Sequence, residues 1–230
     1  MKVLLHACCG PCASACVPRL KELGHEVTMF FANSNISDAA EFEKRKQAAQ
    51  QLAEADGVAL VAQDYDHDEW LKEVASGYED APEKGARCER CFRYNLAKAA
   101  AYAAAHGFDA FTTSLTVSPH KVSEQVFEAG RSAEAEADRA EVQGSRFEVQ
   151  GLRSKVQGRV EGQRLKVEQR RDKNSSVQPP TCNLQPVFLE ENFKKREGFK
   201  KSLKRSAELG LYRQSWCGCE FSKREGEGER

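Results

Sequence analysis

The sequence lacks long apolar runs and any excess of one charge. No stretch approaches the ~18 consecutive apolar residues of a membrane-spanning helix, which excludes a membrane protein. The apolar stretch near Met1 is too short for a signal-peptide core, so we expect a chain that stays in the reducing cytoplasm. The 35 basic and 35 acidic side chains balance. This balance argues against general electrostatic binding to nucleic acid but still allows a local basic patch.

Common nucleotide-binding and hydrolytic motifs are also missing. The sequence contains no phosphate-binding loop of the form G-x-x-x-x-G-K-[ST] or G-x-G-x-x-G. It has no H-E-x-x-H metal motif and no G-x-S-x-G nucleophile elbow. Cysteine is abundant instead, with nine among 230 residues, although disulfide bonds are rare as structural cross-links in the cytoplasm. We therefore expect cysteine to carry the chemistry.

Strand and helix patterns alternate along the first 130 residues. Apolar runs predict four strands, at 2–7, 25–33, 58–63 and 108–115, and helical patterns lie between them, including helices over 39–55, 68–75 and 92–106. A fifth strand is predicted over 184–189, at a sheet edge because of Pro186. An amphipathic helix over 193–210, with Phe199, Leu203 and Ala207 at helical spacing, ends the pattern. These elements predict an α/β fold with a doubly wound, mostly parallel sheet.

The segment 131–183 differs in composition from the rest of the chain. It is rich in charge and repeats Val-Gln-Gly at 142–144, 149–151 and 156–158. Each repeat holds one apolar position and a helix-weakening glycine, which disfavours a coiled coil. We interpret it as a low-complexity insertion in a single domain made of 1–130 and 184–222, followed by a charged tail at 223–230. A nucleic-acid-binding arm is the alternative.

Two cysteine groups occupy predicted turns between a strand and a helix. Cys8, Cys9 and Cys12 follow the first strand, at the sheet edge where open α/β sheets bind ligands. Cys88 and Cys91 form a Cys-x-x-Cys pair directly before the predicted 92–106 helix. The four thiols of Cys8, Cys9, Cys88 and Cys91 suit either zinc or an iron–sulfur cluster, and their spacing does not separate the two. Cys16, one turn into a helix, is more typical of a buried core residue.

A third group, Cys217-Gly218-Cys219, lies near the end of the chain. The central glycine permits the tight turn that a disulfide between such close neighbours requires. That bond would be easily reduced, which favours a redox pair. Two further metal ligands or two idle thiols are the alternatives. Cys182 supports no argument.

A basic stretch leads into this last group. From 194 to 213 there are eight basic residues against two acidic ones, a pattern that suits RNA phosphates or a solvated helix face. The candidate substrate-binding residues are His120, Lys121, Lys200, Lys201 and Arg213.

Several motifs resemble those of the QueH family of epoxyqueuosine reductases, in the family's order. They are Leu4-Leu5-His6-Ala7-Cys8-Cys9-Gly10-Pro11-Cys12, Phe31-Ala32-Asn33-Ser34-Asn35-Ile36, Glu41-Phe42-Glu43-Lys44-Arg45, Gly77–Glu83 before Arg87-Cys88-Glu89-Arg90-Cys91-Phe92, Thr112–Leu115 with Ser118–Lys121, and Phe193–Phe199 through Cys217-Gly218-Cys219. The resemblance covers 1–130 and about 186–222, and it implies a HUP-like fold.

The resemblance implies a reaction and its cofactors. Members reduce the epoxide of epoxyqueuosine at the tRNA wobble position to give queuosine. The resemblance implies a [4Fe–4S] cluster on Cys8, Cys9, Cys88 and Cys91, and an additional iron with Cys12 as a candidate ligand. It also implies a redox-active disulfide between Cys217 and Cys219, a tRNA substrate and an electron donor that the sequence does not identify.

Reduction of an epoxide to an alkene consumes two electrons and two protons, so a redox centre and a proton donor are needed. His6, His120 and Lys121 are candidates for the proton donor. Two other classes of function remain open. One is a zinc-stabilised nucleic-acid-binding module without turnover. The other is a nucleotide-dependent tRNA-modifying transferase, which the missing phosphate-binding loop disfavours.

Overall fold

Five parallel strands form the centre of the protein. The computed structural model describes residues 1–142 and 185–222. The strands are β1 (Lys2–His6), β2 (Glu26–Phe31), β3 (Ala59–Ala62), β4 (Ala110–Thr113) and β5 (Val187–Phe188). They lie in the order β3-β2-β1-β4-β5, and every pairing is parallel. The predicted doubly wound α/β fold is therefore confirmed, and β5 lies at the edge, as Pro186 indicated.

Helices cover both faces of this sheet. They are α1 (Gly10–Glu22), α2 (Ala39–Asp56), α3 (His67–Trp70, continued by a π-helical turn at Leu71–Ala75), α4 (Ala86–Ala105), α5 (Ser123–Val142) and α6 (Gly198–Glu208). Strand side chains alternate between the two faces. Leu5 packs in the cluster with α1 and α2, whereas Leu4 packs in the cluster with α4 and α5. No helix among the described residues is long and apolar enough to cross a membrane.

Helix α4 begins earlier than the sequence pattern predicted. It starts after Gly85, so Cys88 and Cys91 lie within its first two turns instead of directly before it. The first turn, Ala-Arg-Cys-Glu, has no apolar periodicity, and the pattern is visible only from Phe92. The i, i+3 spacing of the two cysteines consequently places both on one side of a helix.

Helix α5 continues past residue 130, where the low-complexity segment was expected to begin. Ala133 is buried, and the backbone N–H of Phe188 donates to Glu134 Oε2 at 3.2 Å. Arg131 forms ion pairs with Glu124 and Glu190. The first residues of that segment are thus part of the helical layer. Residues 143–183, with most of the Val-Gln-Gly repeats and Cys182, lie outside the described residues, as does the 223–230 tail.

The buried face of α6 is not the apolar stripe seen in the sequence. Its buried residues are Gly198, Ser202 and Ser206, and Ser202 is completely buried against α1. Leu203 is 41% exposed and Ala207 is exposed as well. The stripe of the predicted amphipathic helix is thus only partly covered: Phe199 packs against the core, whereas Leu203 and Ala207 are exposed. Small side chains allow α6 to approach α1 closely, and this leaves the larger Phe199 and Leu203 beside an open cavity.

Candidate active site

A cavity of about 520 Å³ opens at the carboxyl end of the sheet. Strands β1 and β4 are neighbours whose connections run to opposite sides, and such switch points are where open α/β sheets bind ligands. Seven of the nine cysteines line this one cavity: Cys8, Cys9, Cys12, Cys88, Cys91, Cys217 and Cys219. The topology therefore gathers cysteines from three separate parts of the chain.

The turn between β1 and α1 holds the tightest group of sulfurs. The Sγ atoms of Cys8, Cys9 and Cys12 all lie within 4.8 Å of one another. Cys9 is the N-cap of α1, and its sulfur accepts a hydrogen bond from the Cys12 N–H at 3.4 Å. Ser114, which follows β4, accepts from the Cys8 N–H at 3.0 Å and donates its hydroxyl to Cys8 Sγ at 3.4 Å. This geometry suits a metal or a cluster that binds several thiolates.

Three neighbouring thiols cannot all ionise without added positive charge. Hydrogen bonds from Cys12 and Cys8 hold the pKa of Cys9 well below its ordinary value, which favours Cys9 as the first thiol of the group to ionise. Its hydrogen bonds to Cys8 and Cys9 raise the pKa of Cys12 well above its ordinary value. The hydrogen bond from Cys12 lowers the pKa of Cys8. The hydrogen bond to Cys9 and burial together have the larger effect, and they raise this pKa to about 11. A bound cation would replace the protons that Cys8 and Cys12 hold.

Cys88 and Cys91 face the same cavity from α4. The Cys88 sulfur accepts from the Lys84 N–H at 3.3 Å, and the Cys91 sulfur accepts from Asn95 Nδ2 at 3.5 Å. Burial raises the pKa of Cys91 to about 12. Among the described residues only Cys8, Cys9 and Cys12 form a group as tight as 4.8 Å. The two cysteines of α4 line the cavity outside that group.

The Cys217-Gly218-Cys219 segment covers another side of the cavity. Cys217 is exposed, whereas Cys219 is 8% exposed and packs with Trp70 and Cys91. The hydrogen bond from Cys219, with the charges of Lys121 and Arg45, holds the pKa of Cys217 well below its ordinary value. The hydrogen bond to Cys217 and burial raise the pKa of Cys219. The two thiols therefore differ, because Cys217 is accessible and is the more readily ionised of the pair.

Lys121 lies beside the Cys217 sulfur. Its Nζ lies 3.7 Å from Cys217 Sγ and 5.1 Å from the ring centroid of Phe92. Burial lowers the pKa of Lys121, but the thiolates of Cys217 and Cys8 outweigh this effect and raise it. Lys121 is thus the principal cation beside the sulfurs.

The other sequence candidates divide into two sets. His120 and Arg213 line the cavity, and the Arg213 guanidinium lies 5.5 Å from the Phe199 ring centroid. Lys200 pairs with Glu197 outside the cavity, and Lys201 lines a separate groove between α1 and α6.

Two further sequence candidates do not reach the cavity lining. His6 is completely buried at the end of β1, with Nδ1 3.0 Å from Thr113 Oγ1, and burial lowers its pKa to about 4. Cys16 is completely buried in α1, as its pattern indicated, and its sulfur contacts the Cys12 carbonyl at 3.4 Å.

Three polar residues of this site were not among the candidate site residues predicted from the sequence. Arg45, on α2, donates to the main-chain carbonyl of Cys217 at 2.8 Å. Asn95 contacts Cys91, and Ser114 contacts Cys8. The signal for Asn95 was its i, i+4 spacing from Cys91, which places two helical side chains together. Arg45 belongs to the Glu41–Arg45 motif of the resemblance, but its contact with Cys217 arises only through the tertiary fold.

A doubly wound sheet with seven cysteines around the cavity at its switch point defines an α/β protein with a thiol-rich ligand site. Comparison with known proteins gives the family. The model of the family described as "Epoxyqueuosine reductase QueH" matches residues 3–164 and 166–225, and the chain belongs to this family. The predicted family and enzyme class are confirmed. The match includes most of 131–183, which the sequence motifs had set apart.

Nine curated proteins match significantly. The protein named Epoxyqueuosine reductase QueH from Streptococcus pyogenes serotype M1 is 28% identical over 230 residues, covering 96% of this chain and 69% of the relative. The protein of that name from Dehalococcoides mccartyi is 28% identical over 229 residues, covering 99% and 96%. The one from Acinetobacter baylyi is 40% identical over 129 residues, covering 56% and 59%.

Proposed function

We propose that this protein reduces the epoxide of epoxyqueuosine at the tRNA wobble position to the alkene of queuosine. Family membership supports the reaction, and the cavity shared by seven cysteines is the observation that carries the chemistry. The epoxide loses its oxygen as water, which consumes two electrons and two protons. Oxidation of two thiols to one disulfide releases two electrons and two protons, so the reaction balances.

Four cysteines are the proposed ligands of a [4Fe–4S] cluster: Cys8, Cys9, Cys88 and Cys91. The cluster, when bound, supplies electrons one at a time. The donor set fits, because all four line one cavity and thiolates are the usual cluster ligands. Cys12 is the proposed ligand of an additional iron, since its sulfur belongs to the tight group with Cys8 and Cys9. Ser114 and Asn95 donate hydrogen bonds that orient the Cys8 and Cys91 sulfurs.

Cys217 and Cys219 are the proposed redox pair. Their thiols are in hydrogen-bonding contact, and only Cys217 is exposed. This asymmetry favours Cys217 as the thiol that an external reductant meets, because thiol–disulfide exchange requires a reactive and accessible sulfur. The electron donor for the chain is such a reductant, acting on the oxidised pair.

Lys121 is the proposed proton donor to the epoxide oxygen, because it is the ammonium group that lies within the cavity beside Cys217. His120 lines the same cavity and is the second candidate. His6 is excluded as a donor, since it lies buried behind the cavity wall. Arg213, at the rim, and Lys200 and Lys201, on α6, are proposed to bind phosphates of the anticodon loop.

Anaerobic purification followed by iron and sulfide analysis tests the cluster assignment. We expect a brown protein with broad absorbance at about 400 nm. Cys88→Ala and Cys91→Ala should lose bound iron, whereas the matched control Cys16→Ala should retain it, because Cys16 lies in the core of α1. Iron and sulfide at wild-type levels in either α4 variant would refute the ligand set.

A turnover assay tests the reaction itself. Transfer RNA that carries epoxyqueuosine is incubated with the protein and a reductant, and the released nucleosides are separated and weighed by mass spectrometry. Conversion to queuosine is expected, and Cys217→Ser should abolish multiple turnover. A colourless protein with stoichiometric zinc and no conversion would support the alternative, a zinc-stabilised nucleic-acid-binding module.

A further inference from the structure

The main chain around Cys217 is held by a buried arginine. Arg45 is 2% exposed, and its Nη1 donates to the Cys217 carbonyl at 2.8 Å. Its Nη2 lies 3.4 Å from the Trp216 carbonyl, and its Nε donates to Glu41 Oε1 at 2.6 Å. One planar guanidinium thus contacts two successive carbonyls and a carboxylate, a geometry that lysine cannot reproduce.

The next residue is held from the start of the same helix. The Gly218 carbonyl accepts from the Ser37 N–H at 3.0 Å and from the Ser37 hydroxyl at 3.2 Å. Gly218 has φ +118°, and a Cβ there would lie 2.9 Å from Arg45 Nη1 and 3.1 Å from Ile36 Cγ1. The carbonyls of 216, 217 and 218 are all occupied, so the redox segment has a defined seat on α2.

Glu41 completes this seat. It lies one helical turn before Arg45, its side chain is 9% exposed, and its Oε2 accepts the Tyr212 hydroxyl at 2.7 Å. The carboxylate neutralises the buried guanidinium and limits its rotation. The network therefore orients the hydrogen-bond donors of Arg45 and is more than a simple ion pair.

We infer that Arg45 is a positioning residue, which seats the Cys217–Cys219 segment so that the Cys217 thiol faces Lys121. Arg45 contacts the main chain of residue 217 at 2.8 Å, whereas Lys121 contacts its sulfur at 3.7 Å. The two cations are thereby linked through Cys217. The catalytic importance of this arrangement rests on the proposed function, but the arrangement itself does not.

Cys217 is the natural reporter of this arrangement. The groups that face it are the cations of Lys121 and Arg45 and the thiols of Cys8, Cys88, Cys91 and Cys219. Iodoacetamide modifies thiolates, so its rate against pH gives the midpoint of Cys217 ionisation. The anaerobically prepared full chain is used, and the modified 217 peptide is quantified by mass spectrometry.

A double-mutant cycle separates positioning from charge. Lys121→Met should raise the pH midpoint of Cys217 ionisation by about one unit. At pH values below the midpoint, the alkylation rate should therefore be about tenfold lower. In the Arg45→Lys background, which keeps a positive charge, the same change should raise the midpoint by less than about half a unit, because coupled residues are not additive. Equal shifts in both backgrounds would overturn the inference.

Two further variants keep the test decisive. If Arg45→Lys does not fold, Glu41→Gln combined with Arg45→Met removes the buried pair together and leaves no uncompensated charge. The same loss of coupling is expected. Arg205→Lys is the matched control, since Arg205 pairs with Asp56 and donates to the Ser14 carbonyl away from the cavity. Coupling to Lys121 should be unchanged in that variant.

Failure of this inference is distinguishable from failure of the proposed function. If Cys217→Ser retains wild-type turnover, the redox role is wrong, and the alkylation cycle still decides whether Arg45 positions Cys217. If turnover depends on Cys217 but the cycle is additive, the redox role stands and Arg45 does not position the thiol.

Discussion

Replacement of Gly218 by alanine should detach the redox segment from α2. The residue has φ +118°, and the new Cβ would lie 2.9 Å from Arg45 Nη1. A side chain in this region of backbone space costs about 1–3 kcal/mol. Displacement of Arg45 also weakens its hydrogen bond to the Cys217 carbonyl, and hydrogen bonds to charged groups contribute about 1.5–3 kcal/mol. A combined effect of about 3 kcal/mol shifts the equilibrium between seated and detached segment by about a hundredfold.

Hydrogen exchange at the Ser37 amide measures this detachment directly. That N–H donates to the Gly218 carbonyl, so its protection reports whether the segment is seated. We expect Ser37 to exchange about a hundredfold faster in Gly218→Ala, while amides in the central strands keep their protection, because local opening does not require global unfolding.

Gly107→Ala provides the matched control. Gly107 also has a positive φ, of +67°, but no atom lies within 4 Å of its virtual Cβ, and it ends α4 far along the chain from this seat. The Gly107→Ala variant should have a somewhat lower global stability. The local opening that exposes the Ser37 amide should be unchanged in it. Protection of the Ser37 amide in Gly218→Ala within twofold of the wild type would refute the reasoning.

Three other changes test packing. Gly130→Ala should lower the thermal midpoint by several degrees, because its Cβ would lie 2.1 Å from the Phe188 ring; a higher midpoint, as helix propensity alone predicts, would contradict this contact. Ser202→Leu should cost about 1–3 kcal/mol in denaturant unfolding, since this residue is completely buried between α6 and α1; the control Leu203→Ser should cost less. Deletion of 132–176 removes the buried Ala133 and should lower the midpoint more than deletion of 143–183; equal midpoints would show that the end of α5 adds no stability.

The sheet was predictable because its strands carry local signals. Apolar runs separated by single helical patterns require parallel pairing, and the structure has that pairing throughout. The start of α4 carried no comparable signal. Its first turn, Ala86–Glu89, is held by its position beside the cavity and has no apolar periodicity of its own, so Cys88 was assigned to a loop.

Helix α6 also shows what a local sequence pattern does not predict. Periodicity predicted an amphipathic helix correctly, but it could not indicate which neighbour the helix would meet. The close approach of α1 favours Ser202 and Ser206 at the contact, because small side chains let helices pack closely. Phe199 is left lining the cavity, where the Arg213 guanidinium lies over its ring. An apolar stripe indicates which face of a helix is covered, but it does not indicate whether the hydrophobic core covers that face.

The balance of charge explains why the candidate site was only partly predictable. The cysteines could be identified from the sequence, because clusters of cysteine are rare in a chain that is not expected to use disulfides as cross-links. The groups that control their ionisation come from distant segments of the chain. Lys121 contacts the Cys217 sulfur and Arg45 contacts its main-chain carbonyl, and no sequence spacing relates the two cations. Seven thiols share the cavity. Hydrogen bonds among the thiols raise the pKa of Cys12, and burial raises that of Cys91, so a bound metal would favour their ionised forms. The proposed cluster would supply that positive charge.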